Sequence, residues 1–255
     1  MHWVIQEGLS DAGMVELERV LTRFELPYSM HKVVPFIGEI VPDIDPPNPV
    51  IVIGSYSMRH VAKRKGWLPG FFVNDNFAYE VWKANWGQEL LNYDGIVCRF
   101  DSVPETDEFF MRPCEDTKSF AGSVFDWAEY CGWRTRVVDL GEDDGSTLKA
   151  DTRVMVSAPK NILREYRLWV VDGRVVTASL YCTGGRVRYD SHVDGPVIEY
   201  GEWLASRWQP DRAFVLDVGL VETRHQVIEV NCLNAAGLYA ANVGKLVEAL
   251  EGMGY

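Results

Sequence analysis

The chain has 255 residues, 47% of them hydrophobic, with nine Trp and eleven each of Phe and Tyr, so it can bury a substantial core. Its 37 acidic and 25 basic side chains give a net charge of −12, which disfavours non-specific binding to DNA, RNA or anionic lipid. The five cysteines show no Cys-x-x-Cys spacing, and neither a signal peptide nor a run of eighteen apolar residues is present. These features argue against a disulfide framework, a structural zinc site and a membrane span, and they favour a reducing cytoplasm.

Residues 1–105 have the pattern of a small α/β lobe. Short apolar runs predict strands at 3–6, 29–34 and 50–53. Helical periodicity predicts helices at 10–24, 59–65 and 76–91, the first with Ser10 as its cap. Four prolines between residues 42 and 49 predict a connecting loop.

The pattern changes after residue 105. A strand is predicted at 109–113, followed by a polar loop at 116–122, a helix at 123–131 and an extended segment at 134–138. An acidic turn at 141–145 precedes a further strand at 153–157. The Asp172-Gly173 turn predicts a hairpin of strands at 164–171 and 174–181, and helices are predicted at 196–208 and 239–250.

One apolar run contains a carboxylate. Residues 213–221 read as a buried strand interrupted by Asp217, and a buried carboxylate needs a cationic partner. On the next predicted strand, 226–231, Glu229 and Asn231 are two residues apart and therefore on one face. Oxygen-bearing side chains in one neighbourhood suit magnesium, which takes a few protein oxygens together with nucleotide phosphates.

The connection between these two strands decides whether the side chains meet. A two-residue turn at 223–224 would place Asp217 opposite Val230 and direct the acidic groups to opposite sides of the sheet. A three- or five-residue connection, or a β-bulge, would place Asp217 opposite Glu229 or Asn231. The sequence therefore predicts an odd connection or a bulge. The alternative is a surface hairpin whose polar side chains are solvated.

An acidic protein that binds a nucleotide needs a local group of cations. Candidates precede the acidic hairpin, and they are Arg112, Lys118, Arg164 and Arg167, with Glu165 among them. Arg within an apolar strand is costly unless it meets an anion, and phosphate is a natural partner. The alternative is ion pairing within the protein, of Arg112 with Glu115 or Asp116 and of Arg167 with Asp217 or Glu229.

From about residue 109 to residue 252 the chain resembles the ATP-grasp superfamily, and in particular a divergent clade typified by two arginines and a lysine. The motifs that carry the resemblance are Phe-Met-Arg-Pro at 110–113, Arg-Glu-Tyr-Arg at 164–167, Asp217, and Glu-Val-Asn at 229–231. The clade includes phage and bacterial proteins and a eukaryotic cell-division-cycle protein that helps assemble a translation initiation factor. The resemblance implies a chain of the α+β or α/β class with the ATP-grasp fold. Two α+β lobes, at 106–158 and 159–255, would hold ATP between them, preceded by the small α/β lobe at 1–105.

The resemblance also implies roles for single residues. Arg112, Lys118 and Arg167 would be the catalytic cations, of which Lys118 lies in the loop expected to cover the phosphates. ATP would also be contacted by Val156, Ser157 and Ala158 at the adenine hinge, by Arg164, by Glu165 near the ribose, and by Asn234, which begins a loop that could hold an acceptor or product anion. Asp217, Glu229 and Asn231 would hold Mg²⁺.

The implied function is that of an ATP-dependent carboxylate–amine ligase, which forms a C–N bond through an acyl phosphate. Its partners would be ATP and an unidentified carboxylate and amine, either small molecules or peptides, and no nucleic acid or membrane. The first alternative is a module that binds ATP and magnesium without ligase activity and acts in the assembly of a protein complex. The second is an unrelated α/β domain with an acidic surface hairpin.

Overall fold

The computed structural model describes residues 1–9, 12–34, 37–72, 76–115, 119–139, 141 and 147–255. The strands are β1 His2–Gln6, β2 Tyr28–Val34, β3 Glu39–Val41, β4 Val50–Ile53, β5 Pro69–Gly70, β6 Ile96–Arg99, β7 Glu108–Pro113, β8 Ser123–Asp126, β9 Arg153–Ser157, β10 Arg164–Val171, β11 Arg174–Thr183, β12 Arg186–Asp190, β13 Ala213–Val221 and β14 Arg224–Cys232. The helices are α1 Ala12–Arg23, α2 Met58–Lys65, α3 Tyr79–Trp86, α4 Trp127–Arg134, α5 Gly195–Arg207 and α6 Val243–Glu251. This mixture of helices and sheets confirms the predicted α+β class.

The chain packs into two compact units. The first consists of residues 1–74 and 162–255, and the second of residues 75–161. The division into lobes at 1–105, 106–158 and 159–255 stays a prediction of the sequence. No helix in the described ranges is both long and apolar enough to cross a membrane.

The first unit contains two five-stranded sheets. One has the order β3-β2-β1-β4-β5, in which β1 is parallel to β2 and β4, and β4 is parallel to β5. The other has the order β12-β11-β10-β13-β14 and is antiparallel throughout. One hydrophobic core joins both ends of the chain, because Trp3 and Leu17 pack in the same buried cluster as Trp169, Val215 and Leu250.

The second unit is built on the antiparallel sheet β6-β9-β7-β8, which packs with α4. Phe109 and Tyr130 are fully buried in its core, with their ring centroids 5.7 Å apart in an edge-to-face arrangement. The Tyr130 hydroxyl donates a hydrogen bond of 2.6 Å to the Phe100 carbonyl, so the polar end of this ring is satisfied inside the core.

Two predictions in the second unit are wrong. The helix predicted at 123–131 begins only at Trp127, because Ser123–Asp126 pair with β7 as a strand. A capping box fixes the start: Asp126 Oδ1 accepts a 2.8 Å hydrogen bond from the Glu129 amide, and Glu129 Oε2 accepts one of 3.2 Å from the Asp126 amide. The segment predicted as extended at 134–138 instead continues the helix as a π-helical turn, Thr135–Asp139. Its valines pack against the core of this unit, so tertiary packing overrides their strand propensity.

Other helices are shorter than predicted. The helix predicted at 76–91 covers Tyr79–Trp86 and ends at Gly87, whose φ of 55° is accessible to glycine at little steric cost. The helix predicted from residue 239 begins at Val243, because Asn242 caps it by accepting a 3.1 Å hydrogen bond from the Lys245 amide. The predicted cap Ser10 and residues 142–145 of the predicted acidic turn lie outside the described residues.

Candidate functional site

The candidate site lies on three neighbouring strands, β10, β13 and β14. Arg167 of β10 pairs in register with Asp217 of β13, and Asp217 pairs with Glu229 of β14. Residues opposite each other on antiparallel strands point to the same face, so the three side chains come together. Asn231 shares this face because it lies two residues beyond Glu229. We call these four residues the acidic cluster.

A β-bulge places the two carboxylates on one face. The turn between β13 and β14 consists of residues 222 and 223, and the pairing shifts between Asp217 and Val218. Ile228 is the additional residue on β14, and Asp217 therefore lies opposite Glu229. The predicted bulge is confirmed, with the two-residue turn one position before 223–224.

Arg167 is the cationic partner that Asp217 requires. Its Nε donates to Asp217 Oδ1 at 2.8 Å and its Nη2 donates to Oδ2 at 2.7 Å, a bidentate pair. Asp217 is 1% exposed and Arg167 is 7% exposed, so solvent screens the pair little. Of the ion pairs considered from the sequence for Arg167, the structure shows the one with Asp217.

Burial and charge act in opposite directions on this pair. Burial raises the pKa of Asp217, and the Arg167 guanidinium opposes that rise. Burial alone would lower the pKa of Arg167, but the Asp217 carboxylate holds it above its usual value. Because arginine does not deprotonate in proteins, the cluster keeps a fixed positive charge next to two carboxyl groups.

Asn231 connects the two carboxylates. Its Nδ2 donates to Asp217 Oδ2 at 3.2 Å and to Glu229 Oε1 at 2.9 Å. The same carboxamide carries an acceptor oxygen, so three side chains in the cluster have oxygen donors of the type that Mg²⁺ prefers. No group of three or more His, Cys, Asp and Glu side chains suited to a metal occurs in the described part of the chain, as expected for a donor set with only two carboxylates.

Aromatic side chains surround the guanidinium, and sequence reasoning did not find them. The Arg167 guanidinium carbon lies 4.5 Å from the ring centroid of Tyr239 and 5.7 Å from that of Tyr181. The Tyr181 hydroxyl donates a 2.8 Å hydrogen bond to Glu165 Oε2, and burial raises the pKa of Tyr181 above its usual value. Only the pairing of β10 with β11 brings Tyr181 here, so no local sequence signal identifies it.

The predicted site residues of the second unit lie on two paired strands. Arg112 of β7 pairs in register with Met155 of β9, and its guanidinium carbon lies 5.0 Å from the ring centroid of Trp82. Val156 and Ser157 end β9, where Ser157 donates a 3.0 Å hydrogen bond to Asn92 Oδ1, and the next residue, Ala158, is exposed. The predicted phosphate ligand Lys118 lies outside the described residues.

Asn234 connects the segment after β14 to the parallel sheet. Its Nδ2 donates to the Val52 carbonyl at 2.7 Å and to the Gly70 carbonyl at 3.3 Å, and its Oδ1 accepts from the Phe72 amide at 2.8 Å. The side chain is 1% exposed. These contacts are structural, and nucleotide binding by Asn234 stays a prediction.

A small cavity adjoins this connection. It has a volume of about 270 Å³ and lies between the ends of β1 and β4, the start of α1 and residues 234–237. Leu9, Met14 and Ile53 form its apolar side, and Ser55 and Gly237 are also in the lining.

The sequence as a whole identifies the family. A family model of the ATP-grasp domain, family 3 of the clade named for its two arginines and one lysine, matches residues 42–250, which is most of the chain. The chain belongs to this ATP-grasp family. A comparison with curated protein sequences gives no significant match.

Solved structures support the ATP-grasp fold. The RimK domain protein ATP-grasp from Sphaerobacter thermophilus DSM 20745 matches with a TM-score of 0.63 and 10% identity over 99% of this chain and 100% of that chain. D-alanine–D-alanine ligase from Bacillus anthracis complexed with ATP gives a TM-score of 0.61 and 13% identity over 98% of this chain and 91% of that chain. The ATP-grasp ligase PsnB complexed with minimal precursor gives 0.57 and 13% identity over 98% and 97%. The predicted superfamily and fold are confirmed, and identities this low carry the fold alone.

Proposed function

We propose that this ATP-grasp chain is an ATP-dependent ligase that joins a carboxylate to an amine. The convergence of Arg167, Asp217, Glu229 and Asn231 on one face of one sheet carries the proposal. Transfer of a phosphoryl group needs positioned cations and metal ligands more than a nucleophilic side chain. The acidic cluster supplies both within one small volume.

The proposed reaction has two steps. An oxygen of the substrate carboxylate attacks the γ-phosphorus of ATP, the bond to the bridging oxygen of ADP breaks, and an acyl phosphate forms. The amine nitrogen then attacks the acyl carbon, inorganic phosphate leaves, and the nitrogen loses a proton as the C–N bond is completed. In both steps Arg167 would offset the negative charge that develops on phosphate oxygens.

The donor set of the acidic cluster fits Mg²⁺. Asp217, Glu229 and Asn231 would hold the ion through side-chain oxygens, while Arg167 reduces the repulsion between the two carboxylates. When bound, magnesium neutralises charge on the nucleotide phosphates. The remaining predicted contacts are part of the same proposal: Arg112 and Lys118 bind phosphate, Val156, Ser157 and Ala158 receive the adenine, and Arg164, Glu165 and Asn234 complete the nucleotide site.

The cavity beside Asn234 is our proposed location for part of the second substrate. Its volume of about 270 Å³ suits a group of the size of an amino acid, and its lining is mostly apolar or small. Among similar structures, one is a D-alanine–D-alanine ligase and another was solved with a precursor, so both a small molecule and a peptide are consistent with the fold. The five cysteines are all unpaired, which supports a cytoplasmic location.

Nucleotide turnover tests the proposal. We expect Glu229→Gln to reduce magnesium-dependent ADP release at least about tenfold, equivalent to 1.4 kcal/mol, because the variant lacks one anionic metal ligand. Glu229 is preferable to Asp217 as the test position, since Asp217→Asn would also leave the buried Arg167 without its carboxylate. Glu248→Gln, on the exposed side of α6, is the matched control and should turn over ATP at the wild-type rate.

The outcomes separate the three candidate functions. ADP release by the wild type that is stimulated by a mixture of carboxylates and amines supports the ligase. Tight binding of ATP without turnover supports instead a nucleotide-binding module that acts in the assembly of a protein complex. If magnesium-dependent ATP binding is absent, the acidic cluster has another use and the nucleotide proposal is refuted.

A further inference from the structure

Tyr239 has an unusual backbone conformation for its residue type. Its φ is 46°, in the left-handed region, which is unfavourable for a bulky L-residue. The other non-glycine residues with positive φ in the described ranges are Glu25, Asp172 and Glu222, and all three are exposed and polar. Tyr239 is half-buried and aromatic. Such strain persists only where surrounding contacts hold it.

Hydrogen bonds on either side of Tyr239 hold this conformation. The Ala240 amide donates to Ser179 Oγ at 3.3 Å, and the Asn242 amide donates to Thr177 Oγ1 at 2.8 Å. Both hydroxyls belong to β11, and both residues are buried. On the other side, the Gly237 carbonyl accepts a 3.3 Å hydrogen bond from Arg167 Nη1. Residues 237–242 are therefore fixed to β10 and β11.

The strained backbone places the Tyr239 ring between two other groups of the site. The Arg167 guanidinium carbon is 4.5 Å from its centroid, within the range of a cation–π interaction. The Tyr189 ring lies 4.9 Å away with an interplanar angle of 15°, and this edge-strand side chain is 56% exposed. The exposed Tyr189 thus supports the ring that contacts the buried arginine.

Arg167 retains hydrogen-bonding capacity after these contacts. Three of its N–H groups bond to Asp217 and to the Gly237 carbonyl, and a guanidinium has five. The direction of the remaining donors depends on the plane of the guanidinium. Asp217 fixes one edge of that plane, and the Tyr239 ring restrains the group against tilting out of it.

We propose that Tyr239 is a positioning residue for Arg167, with Tyr189 as its outer support, so that the remaining guanidinium donors point in a fixed direction towards a phosphate or acyl-phosphate oxygen. This inference rests on the proposed function for the identity of the anion. The restraint on the guanidinium is a property of the protein alone and can be measured without a nucleotide.

Substitutions at Tyr239 test the proposal through ATP affinity measured by titration calorimetry with magnesium. Tyr239→Phe keeps the ring and should bind within about twofold of the wild type. Tyr239→Leu keeps a bulky side chain at the same φ without the π face, and it should bind about tenfold more weakly, equivalent to 1.4 kcal/mol. Equal affinities of the leucine variant and the wild type would refute the proposal.

Tyr239→Gly separates a functional role from a purely structural one. Glycine relieves the left-handed strain while it removes the ring. We expect ATP affinity to fall as in the leucine variant, although the backbone becomes easier to fold. Glu222→Gly relieves a φ of 53° in the β13–β14 turn and is the matched control, which should leave ATP affinity unchanged. Wild-type affinity in Tyr239→Gly would contradict the proposal.

The ¹⁵N–¹H signal of Arg167 Nε, assigned by through-bond correlation, gives a readout without nucleotide. In the wild type and in Tyr239→Phe it should be shifted by the adjacent ring and exchange slowly with water. In Tyr239→Leu the ring shift should disappear and exchange should accelerate. If the wild type fails to bind ATP but these signals behave as expected, the proposed function fails and the positioning role stands. An unchanged signal in Tyr239→Leu overturns the positioning role whatever the nucleotide data show.

Discussion

Asp217 and Arg167 depend on each other to remain charged inside the protein. Each lies on a strand that is otherwise apolar at this depth, and both hydrogen bonds between them are shorter than 3 Å, at 2.8 and 2.7 Å. Removing one partner leaves the other charge buried without compensation, which costs far more than the pair itself contributes. This asymmetry makes the pair a sensitive test of the site at the residue scale.

We expect Asp217→Asn to lower the free energy of unfolding by about 3–5 kcal/mol, measured by urea denaturation. Arg167→Met should destabilise by a similar amount, for the same reason. The double variant should lose clearly less than the sum of the two single variants, because it buries no unpaired charge. Arg174→Gln, which breaks an exposed ion pair with Glu202, is the control and should change stability by less than about 1 kcal/mol. Additive losses in the double variant would contradict the pairing.

The composition of the acidic cluster could be predicted from the sequence because its chemistry is local. A carboxylate in a buried strand and a Glu-x-Asn spacing on the next strand are both readable from residue order. The partner of Arg167 could not be decided, since it depends on how β10 aligns with β13. Tyr239 and Tyr189 were not found either, because their contact arises from the left-handed backbone at Tyr239 and from β12.

At the scale of elements, the strands that the sequence did not predict share a physical feature. β12 has exposed residues at four of its five positions and alternates arginine with Val and Tyr, so it lacks the apolar face by which a strand is recognised. β3 is short and has one buried residue, Ile40. Both lie at the edges of sheets, where polar side chains are normal. The buried hairpin of β10 and β11, in contrast, was predicted from its apolar runs and Asp-Gly turn.

The bulge in β14 shows how one residue decides the site. With regular pairing from the turn, Asp217 would face Ile228, and Glu229 would point to the other side of the sheet. The requirement for a bulge could be deduced from the need to join the two carboxylates. Its position could not, because nothing in the residues 226–231 distinguishes Ile228 from its neighbours as the extra residue.

The connection made by Asn234 links two elements that are far apart in the sequence. We expect Asn234→Ala to lower the free energy of unfolding by about 2–4 kcal/mol, because buried backbone groups of Val52, Gly70 and Phe72 lose their partner. Asn242→Ala is the matched control, since it removes only the cap of α6 and should cost about 1 kcal/mol. Urea denaturation of both variants measures the difference. A loss in Asn234→Ala no larger than that in Asn242→Ala would contradict the structural role.

At the scale of the whole molecule, the net charge of −12 opposes the binding of a triphosphate. The acidic cluster alone adds to this repulsion, with two carboxyl groups against one guanidinium. Nucleotide binding therefore requires a divalent cation that converts the carboxylates from a repulsive to an attractive feature. ATP affinity must then depend on magnesium, and that dependence must act through Glu229.

Titration calorimetry of ATP binding, with magnesium and with EDTA, tests the central claim most directly. The wild type should bind ATP at least about tenfold more tightly with magnesium than with EDTA, a difference of 1.4 kcal/mol or more. Glu229→Gln should lose most of this difference, and Glu248→Gln should retain it. Wild-type binding that is the same in EDTA, or a Glu229→Gln variant that keeps the full effect of magnesium, would contradict the assignment of the acidic cluster as the metal and nucleotide site.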